Sequence, residues 1–179
     1  MNSRLADERG VTLIELLFVC LIMGILLAGL ANVFLSGSRA SADATGRLTS
    51  QQNTRLALDR LEFEARCATS ATRVLGGAGV TLVLPAQCSH ASGNVTWCVA
   101  SGVLTRYVGT GCTGTSQPFV TGITSALPFS CVAPVGPLPQ LRVDLTVNTT
   151  GRSADATSVS DTITLRNAAP TTATTSSCT

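Results

Sequence analysis

The first part of the chain carries a long apolar run, and a helical pattern of polar and apolar residues follows it. The run extends from Val11 to Ala31, about 21 residues, and would form a helix of ~32 Å, enough to cross a bilayer core. One acidic residue, Glu15, lies near the start of the run, where a charge is costly unless a positive group pairs with it. Residues 36–67 contain no proline and predict an amphipathic continuation of the helix.

The predicted continuation carries apolar residues at a spacing that partly matches one helical stripe, and we expect this stripe to pack against the remainder of the protein. The apolar residues are Leu48, Leu56, Leu58, Leu61 and Phe63. Opposite charges recur four residues apart, and we interpret them as pairs on a solvated face. These pairs are Arg55–Asp59, Arg60–Glu64 and Glu62–Arg66. A continuous helix from about Val11 to Cys67 would be ~85 Å long, far beyond a globular core helix.

From about Gly76 the chain becomes rich in Gly, Thr, Ser and Val, with short β-prone runs between turn signals. The predicted strands are Val80–Leu84, Val95–Ala100, Val103–Val108, Phe119–Ile123, Leu141–Val147 and Thr162–Arg166. We interpret residues 76–79 as a turn after the long helix. A sheet packed on one long helix is an α+β fold, here with a C-terminal antiparallel β-sheet head.

A two-residue loop, Ser101-Gly102, predicts a β-hairpin between two of these strands. In that register Val99 faces Leu104, and Trp97 lies opposite Arg106. We expect Trp97 to be a core or sheet-face residue.

The polar-to-apolar junction carries a recognisable motif. The sequence Gly10-Val11-Thr12-Leu13-Ile14-Glu15-Leu16 resembles the Gly-Phe-Thr-Leu-Ile-Glu-Leu processing motif of type IV pilins and type II secretion pseudopilins. The resemblance implies that a prepilin peptidase cuts after Gly10 and methylates the new amino group of Val11. The family usually has Phe where this chain has Val11, a difference that we expect to slow processing at most.

The same resemblance implies a role for Glu15. The Val11 ammonium of one mature subunit would neutralise Glu15 of the next as helices stack in a filament, because a paired buried ion costs much less than an unpaired one. The implied partners are the prepilin peptidase, other major and minor pilins or pseudopilins, membrane lipid before assembly, and an inner-membrane assembly platform. The implied location is a single pass through the inner membrane with an extracytoplasmic head, and then a pilus or pseudopilus.

Two further segments narrow the resemblance. Residues 51–61 and residues 161–167 are similar to the post-anchor segment and closing strand of PilW-like minor pilins and J-type minor pseudopilins. This implies a structural subunit that helps to initiate or cap a type IV pilus or type II secretion pseudopilus. Two alternatives stay open: an adhesin or DNA-uptake subunit, and a membrane-anchored binding protein outside any filament, which would keep Met1–Gly10.

The motif and the composition together predict four segments. They are a leader at 1–10, a transmembrane and filament-core helix at 11–35, its amphipathic continuation at 36–67, and a disulfide-containing β-rich head with a Thr/Ser-rich tail at 68–179.

Cysteine usage fits an exported head. Of the seven cysteines, Cys20 lies in the apolar run, and the other six form an even set outside it, as expected for disulfides. The set comprises Cys67, Cys88, Cys98, Cys112, Cys131 and Cys178. The sequence does not choose among their pairings; as a guess we pair Cys88 with Cys98, Cys112 with Cys131, and Cys67 with Cys178.

Composition weighs against catalysis, metal binding and nucleic acid. The net charge is only +2, and the arginines of the head are scattered, so no basic field indicates a nucleic-acid partner. His90 is the single histidine, the cysteines lack a CxxC pair, and no nucleophile elbow or phosphate loop is present. We therefore expect no enzyme, no cofactor and no metal, and we interpret Asp155 and Asp161 as residues of a solvated loop and not as a calcium site.

Overall fold

The structure is a computed structural model that describes residues 12–88, 93–132, 138–148, 156–169 and 177–178. Its first element is helix α1, Leu13–Cys67, which runs without interruption through the apolar segment and the predicted continuation. The chain divides into two compact units between Ala44 and Thr45. The last part of α1 therefore belongs to the second unit, together with all the strands.

The second unit contains two antiparallel sheets. Its strands are β1 Ser70–Val74, β2 Gly79–Leu84, β3 Gly93–Ala100, β4 Val103–Val108, β5 Ser116–Thr121, β6 Phe129–Val132, β7 Gln140–Val147, β8 Thr157–Thr164 and β9 Ser177–Cys178. One sheet has the order β5-β4-β3-β2-β1-β9, and the other has the order β6-β7-β8. A single long helix followed by antiparallel sheets is the predicted α+β, pilin-like arrangement, which is confirmed.

Each of the six predicted strands overlaps a strand of the structure, and β1, β6 and β9 were missed. Strand β1 consists mainly of small and polar residues, and β9 is only two residues long, so neither has an alternating pattern to detect. The predicted turn at 76–79 does not directly follow the helix, because β1 lies between the helix and the turn. The turn connects β1 to β2 instead, with Val74 paired to Gly79.

The predicted hairpin is confirmed in its register. Val99 pairs with Leu104 and Trp97 pairs with Arg106 across β3 and β4. Both loop residues have positive φ, 50° at Ser101 and 73° at Gly102, as a type I′ turn requires. Trp97 is completely buried, as expected of a core residue.

The face of α1 that packs on the head differs from the predicted apolar stripe. Of the five stripe residues, only Leu61 is fully buried, whereas Leu48, Leu56 and Phe63 are 61%, 64% and 49% exposed. The buried face consists of Thr54, Ala57, Leu61, Glu64 and Ala65. Small side chains allow a helix to lie close to the element that it packs on, so alanines can line a buried face as well as leucines. The stripe prediction was therefore wrong for most of its residues.

The solvated-face interpretation of the charges was wrong for Glu64, which is only 2% exposed. Arg60 does pair with it at 2.9 Å, and the Glu62–Arg66 pair also forms on the more exposed side of the helix. Glu64 is buried because donors on β3 and β4 reach its carboxylate, which spacing along the helix does not reveal.

The six cysteines outside the apolar run form three disulfides, but the guessed pairings were all wrong. The bonds join Cys67 to Cys88, Cys98 to Cys112, and Cys131 to Cys178.

Strand register explains the difference. In the β2–β3 hairpin, Cys98 lies opposite Gly79, five residues and ~17 Å from the loop end that holds Cys88, well beyond the ~7 Å limit between Cα atoms. The pairing of Ser70 with Val83 brings the end of α1 to that same loop end, so Cys67 meets Cys88. Cys131 on β6 and Cys178 on β9 link the two sheets.

Candidate assembly site

The start of α1 holds the two described polar residues of the N-terminal motif. Thr12 precedes the helix, and its carbonyl accepts the backbone N–H groups of Glu15 at 3.1 Å and of Leu16 at 3.2 Å. The Glu15 N–H also lies 3.4 Å from the Thr12 hydroxyl oxygen. Thr and Glu three residues apart have the spacing of a capping box, in which the hydroxyl satisfies a free amide of the first helical turn.

This cap also bears on the cost of Glu15 in an apolar segment. Glu15 lies in the first turn of α1, where the helix dipole favours negative charge. Glu15 is exposed in the isolated chain. The motif therefore places an accessible carboxylate at the positive end of the helix.

From Leu16 to Ala31, α1 is apolar all round. Every described residue from 12 to 42 is exposed in the isolated chain. Within the described residues, α1 is one helix that is long and apolar enough to cross a membrane by length and composition, although a signal sequence near an N-terminus passes the same test. Cys20 lies in this segment as an exposed free thiol. A helix with no polar face needs lipid or other helices around it.

The predicted cleavage site itself, Gly10 and Val11, lies outside the described residues, as do His90, Arg152 and Asp155. The predictions that rest on these residues stay predictions.

Further along α1, the second unit presents apolar side chains away from its own core. Leu48, Leu56 and Phe63 are exposed on a helix that buries alanines and Glu64 on its other side. Their spacing predicted a stripe that packs on the head, and that prediction was wrong for these three residues.

A groove of about 160 Å³ lies between this part of α1 and the ends of β7 and β8. Its described lining residues are Arg47, Ser50, Gln51, Thr54, Arg55, Val147, Thr157 and Val159. Small-molecule sites typically measure about 300–1,000 Å³, so this groove has room for about one side chain. Its described lining contains arginines but no carboxylate or histidine, the groups that general acid–base catalysis most often uses.

The arginines of the head do not share one environment. Arg106 is buried against Glu64, with 2.9 Å between its Nε and Oε1. Arg142 donates from Nε to Asp144 at 2.9 Å, and this hydrogen bond, with one from Ser160, holds the pKa of Asp144 below its usual value. Arg106 and Arg142, two of the head arginines weighed as nucleic-acid contacts, are therefore already paired with carboxylates of the head.

The described residues contain no group of three or more His, Cys, Asp or Glu side chains placed to hold a metal ion. Asp161, one of the two carboxylates considered for calcium, lies in β8, so its predicted loop position was wrong, and it accepts the backbone N–H of Thr162 at 2.8 Å. This is a local contact that an ordinary strand residue can make.

Comparison with known proteins gives a match to a family model. Residues 5–31 match the family model for the prokaryotic N-terminal methylation motif, which is type IV pilin-like. No curated protein matches the chain, and no solved structure matches it. The matched residues include the predicted cleavage site, Glu15 and the whole apolar run from Val11 to Ala31.

The motif and the fold together support the pilin and pseudopilin class. They point to a structural subunit and not to an enzyme, and to a substrate of the prepilin peptidase that assembles with other pilins. The apolar helix that carries the motif indicates membrane anchoring.

Proposed function

We propose that this protein is a minor pilin or minor pseudopilin, PilW-like or J-type, that helps to initiate or cap a filament. The observation that carries the proposal is the methylation motif at 5–31, which includes the capped start of α1 and its exposed apolar surface. Residues 51–61 and 161–167 give the narrower assignment through their resemblance to those two groups.

In the proposed mechanism, the peptidase removes Met1–Gly10 and leaves the apolar helix in the product. The methylated ammonium at Val11 of one subunit then pairs with Glu15 of a neighbour. In apolar surroundings a carboxylate without a partner is costly. Offsets between the two helices that leave Glu15 unpaired are therefore disfavoured, and the offset that brings the ammonium to Glu15 is favoured. Glu15 would therefore help to set the offset between neighbouring helices.

The exposed apolar residues of the second unit support assembly through the same helix. Leu48 lies 13 residues beyond Leu35 in the sequence, and a polar segment separates the two. Because a transmembrane helix needs only about 20 residues, a bilayer core that contains residues 11–35 does not extend to Leu48, Leu56 and Phe63. Protein surfaces of neighbouring subunits are the natural cover for them.

The first experiment measures processing. The full chain is expressed with a prepilin peptidase, beside a Gly10→Val variant, and the N-terminal peptide is identified by mass spectrometry. We expect a product that begins at N-methylated Val11, and we expect the variant to retain Met1–Gly10. An unprocessed wild-type chain would remove the basis for the pilin assignment.

The second experiment separates a minor subunit from a major one. Filaments are counted and measured in cells that lack this chain and in cells that carry Glu15→Gln. A minor initiating subunit predicts far fewer filaments of ordinary length, with the variant resembling the deletion because its uncharged amide no longer neutralises the ammonium. Filaments that are normal in number without the chain would contradict the initiating role.

A further inference from the structure

One arginine of α1 lacks the partner that its spacing in the sequence predicted. Two of the three predicted charge pairs on this helix form. The third pair, Arg55 with Asp59, does not form, because Arg55 makes no hydrogen bond or ion pair within the part of the chain that the structure describes. Arg55 is exposed and instead lines the groove between α1 and the ends of β7 and β8.

The helical wall of this groove is basic and rich in hydrogen-bond donors. It consists of Arg47, Ser50, Gln51, Thr54 and Arg55, whose spacing of three and four residues places them on one side of α1. The Thr54 hydroxyl is already bonded to the Ser50 carbonyl at 2.7 Å. The N–H groups of Arg55 are therefore donors at the groove that have no acceptor among the described residues.

The opposite wall belongs to the second sheet and carries no charge. Val147 at the end of β7 pairs directly with Thr157 at the start of β8, and Val159 follows two residues later. Neither wall includes a carboxylate among its described residues. The groove therefore attracts an anionic group, because the guanidinium groups that line it have no acid beside them to offset their charge.

The surroundings of the groove favour an anionic group that a protein carries. Leu48 and Leu56, which follow Arg47 and Arg55 directly in the sequence, are 61% and 64% exposed. A free inorganic anion gains nothing from exposed leucines, whereas protein interfaces combine apolar contacts with arginines. The groove volume of about 160 Å³ suits about one side chain and is small for a typical organic ligand.

We propose that the groove receives one acidic side chain, Asp or Glu, of a neighbouring subunit, and that its carboxylate pairs with Arg55. Apolar residues of the same neighbour cover Leu48 and Leu56. This inference rests on the proposed function, since it takes the neighbour to be another pilin or pseudopilin. A guanidinium donates through a planar fork that matches the two oxygens of a carboxylate, so the pair also orients the neighbour on the head.

The test replaces the guanidinium by an amine. The chain contains no lysine, so an Arg55→Lys variant gains a single lysine amine and keeps its charge. Filaments that contain the variant are treated with a carbodiimide, which joins an amine directly to a carboxylate in contact with it, and the joined peptides are identified by mass spectrometry. We expect an amide between position 55 and an Asp or Glu of another subunit. The matched control is Arg166→Lys, at an exposed arginine outside the groove, where we expect far less product.

Charge reversal measures the contribution of the groove to assembly. We expect about tenfold fewer filaments with Arg55→Glu, because two like charges then meet at the contact, and a nearly normal number with Arg166→Glu. Arg55 is exposed, so the Tm of Arg55→Glu should stay within about 4 °C of the wild type. Processing at Val11 is measured in the same cells.

Each possible failure has a separate meaning. An unprocessed chain would refute the proposed function itself, whereas normal processing with a normal number of Arg55→Glu filaments would refute only the groove contact. A product that joins position 55 only to its own chain, for example to Asp155, would show that the chain fills the groove itself. A loss of filaments with Arg55→Glu, but no carbodiimide product in Arg55→Lys filaments, would indicate a free anion such as phosphate and overturn the proposal of a protein carboxylate.

Discussion

The two compact units of this chain place glutamates of the same helix in opposite situations. Before Ala44, Glu15 is exposed on an apolar helix and has no basic side chain paired with it among the described residues. After Thr45, Glu64 is buried and accepts hydrogen bonds from three side chains of its own chain. Among the described residues, the first unit supplies no basic partner for its carboxylate, whereas the second satisfies its carboxylate internally.

This difference shows how a helix can serve two purposes along its length. A buried charge whose partners lie in the same chain contributes to the fold. A charge in apolar surroundings without such partners is costly until a group of opposite charge pairs with it. The apolar residues of the second unit differ in a similar way: Leu61 is buried in the head, whereas Leu56 is exposed.

The largest expected effect distinguishes the two glutamates by stability. Glu64→Ala leaves Arg106 buried without its partner, and we expect a loss of about 3–5 kcal/mol in the free energy of unfolding of the head. Glu15→Ala should leave that free energy unchanged, since Glu15 belongs to the first unit and the head to the second. Urea unfolding of the detergent-solubilised chain, followed by Trp97 fluorescence, measures both. Equal losses in the two variants would contradict the division between the units.

The next effect compares two leucines of the same helix. Leu61→Ala removes a completely buried side chain and should destabilise the head by about 2–5 kcal/mol, whereas the exposed Leu56→Ala should change stability by less than about 0.5 kcal/mol. The same urea titration applies. If the proposed function holds, Leu56→Ala instead lowers filament assembly. A large stability loss in Leu56→Ala would restore the original stripe prediction.

The smallest effect concerns pH. The Arg142 and Ser160 hydrogen bonds lower the pKa of Asp144 in the folded state, so its contribution is present above the unfolded pKa, about 3.9, and is lost as pH falls through the lower folded pKa. Both side chains are about half exposed, so solvent screening keeps this contribution small. Between pH 5 and pH 2, Asp144→Asn should show a slightly shallower fall in Tm than the wild type. A steeper fall would reverse the assigned sign.

Local patterns predicted much of the architecture. The long helix, the overlap with six strands, the register of the Trp97–Arg106 hairpin and the motif around Glu15 all depend on residues close together in the chain. Periodicity, turn residues and motif spacing are local signals, so they were available from the sequence.

The errors have a common cause in contacts between distant residues. Glu64 is an ordinary member of an i,i+4 pair until strands 33 and 42 residues away bring Trp97 and Arg106 to it. The stripe of leucines was a real pattern, but the sequence does not say which side of a helix meets the sheet.

The sequence by itself determined that this chain has a methylation-type N-terminus, an apolar helix with one carboxylate near its start, and a cysteine-rich β head. Only the tertiary structure decided which helix face is buried, that Glu64 lies in the core, and how six cysteines pair. The physical reason is that the register of β1 on β2 and of β2 on β3 sets the distances between distant residues. Those distances determine which buried charge finds its donors and which thiols come within bonding range.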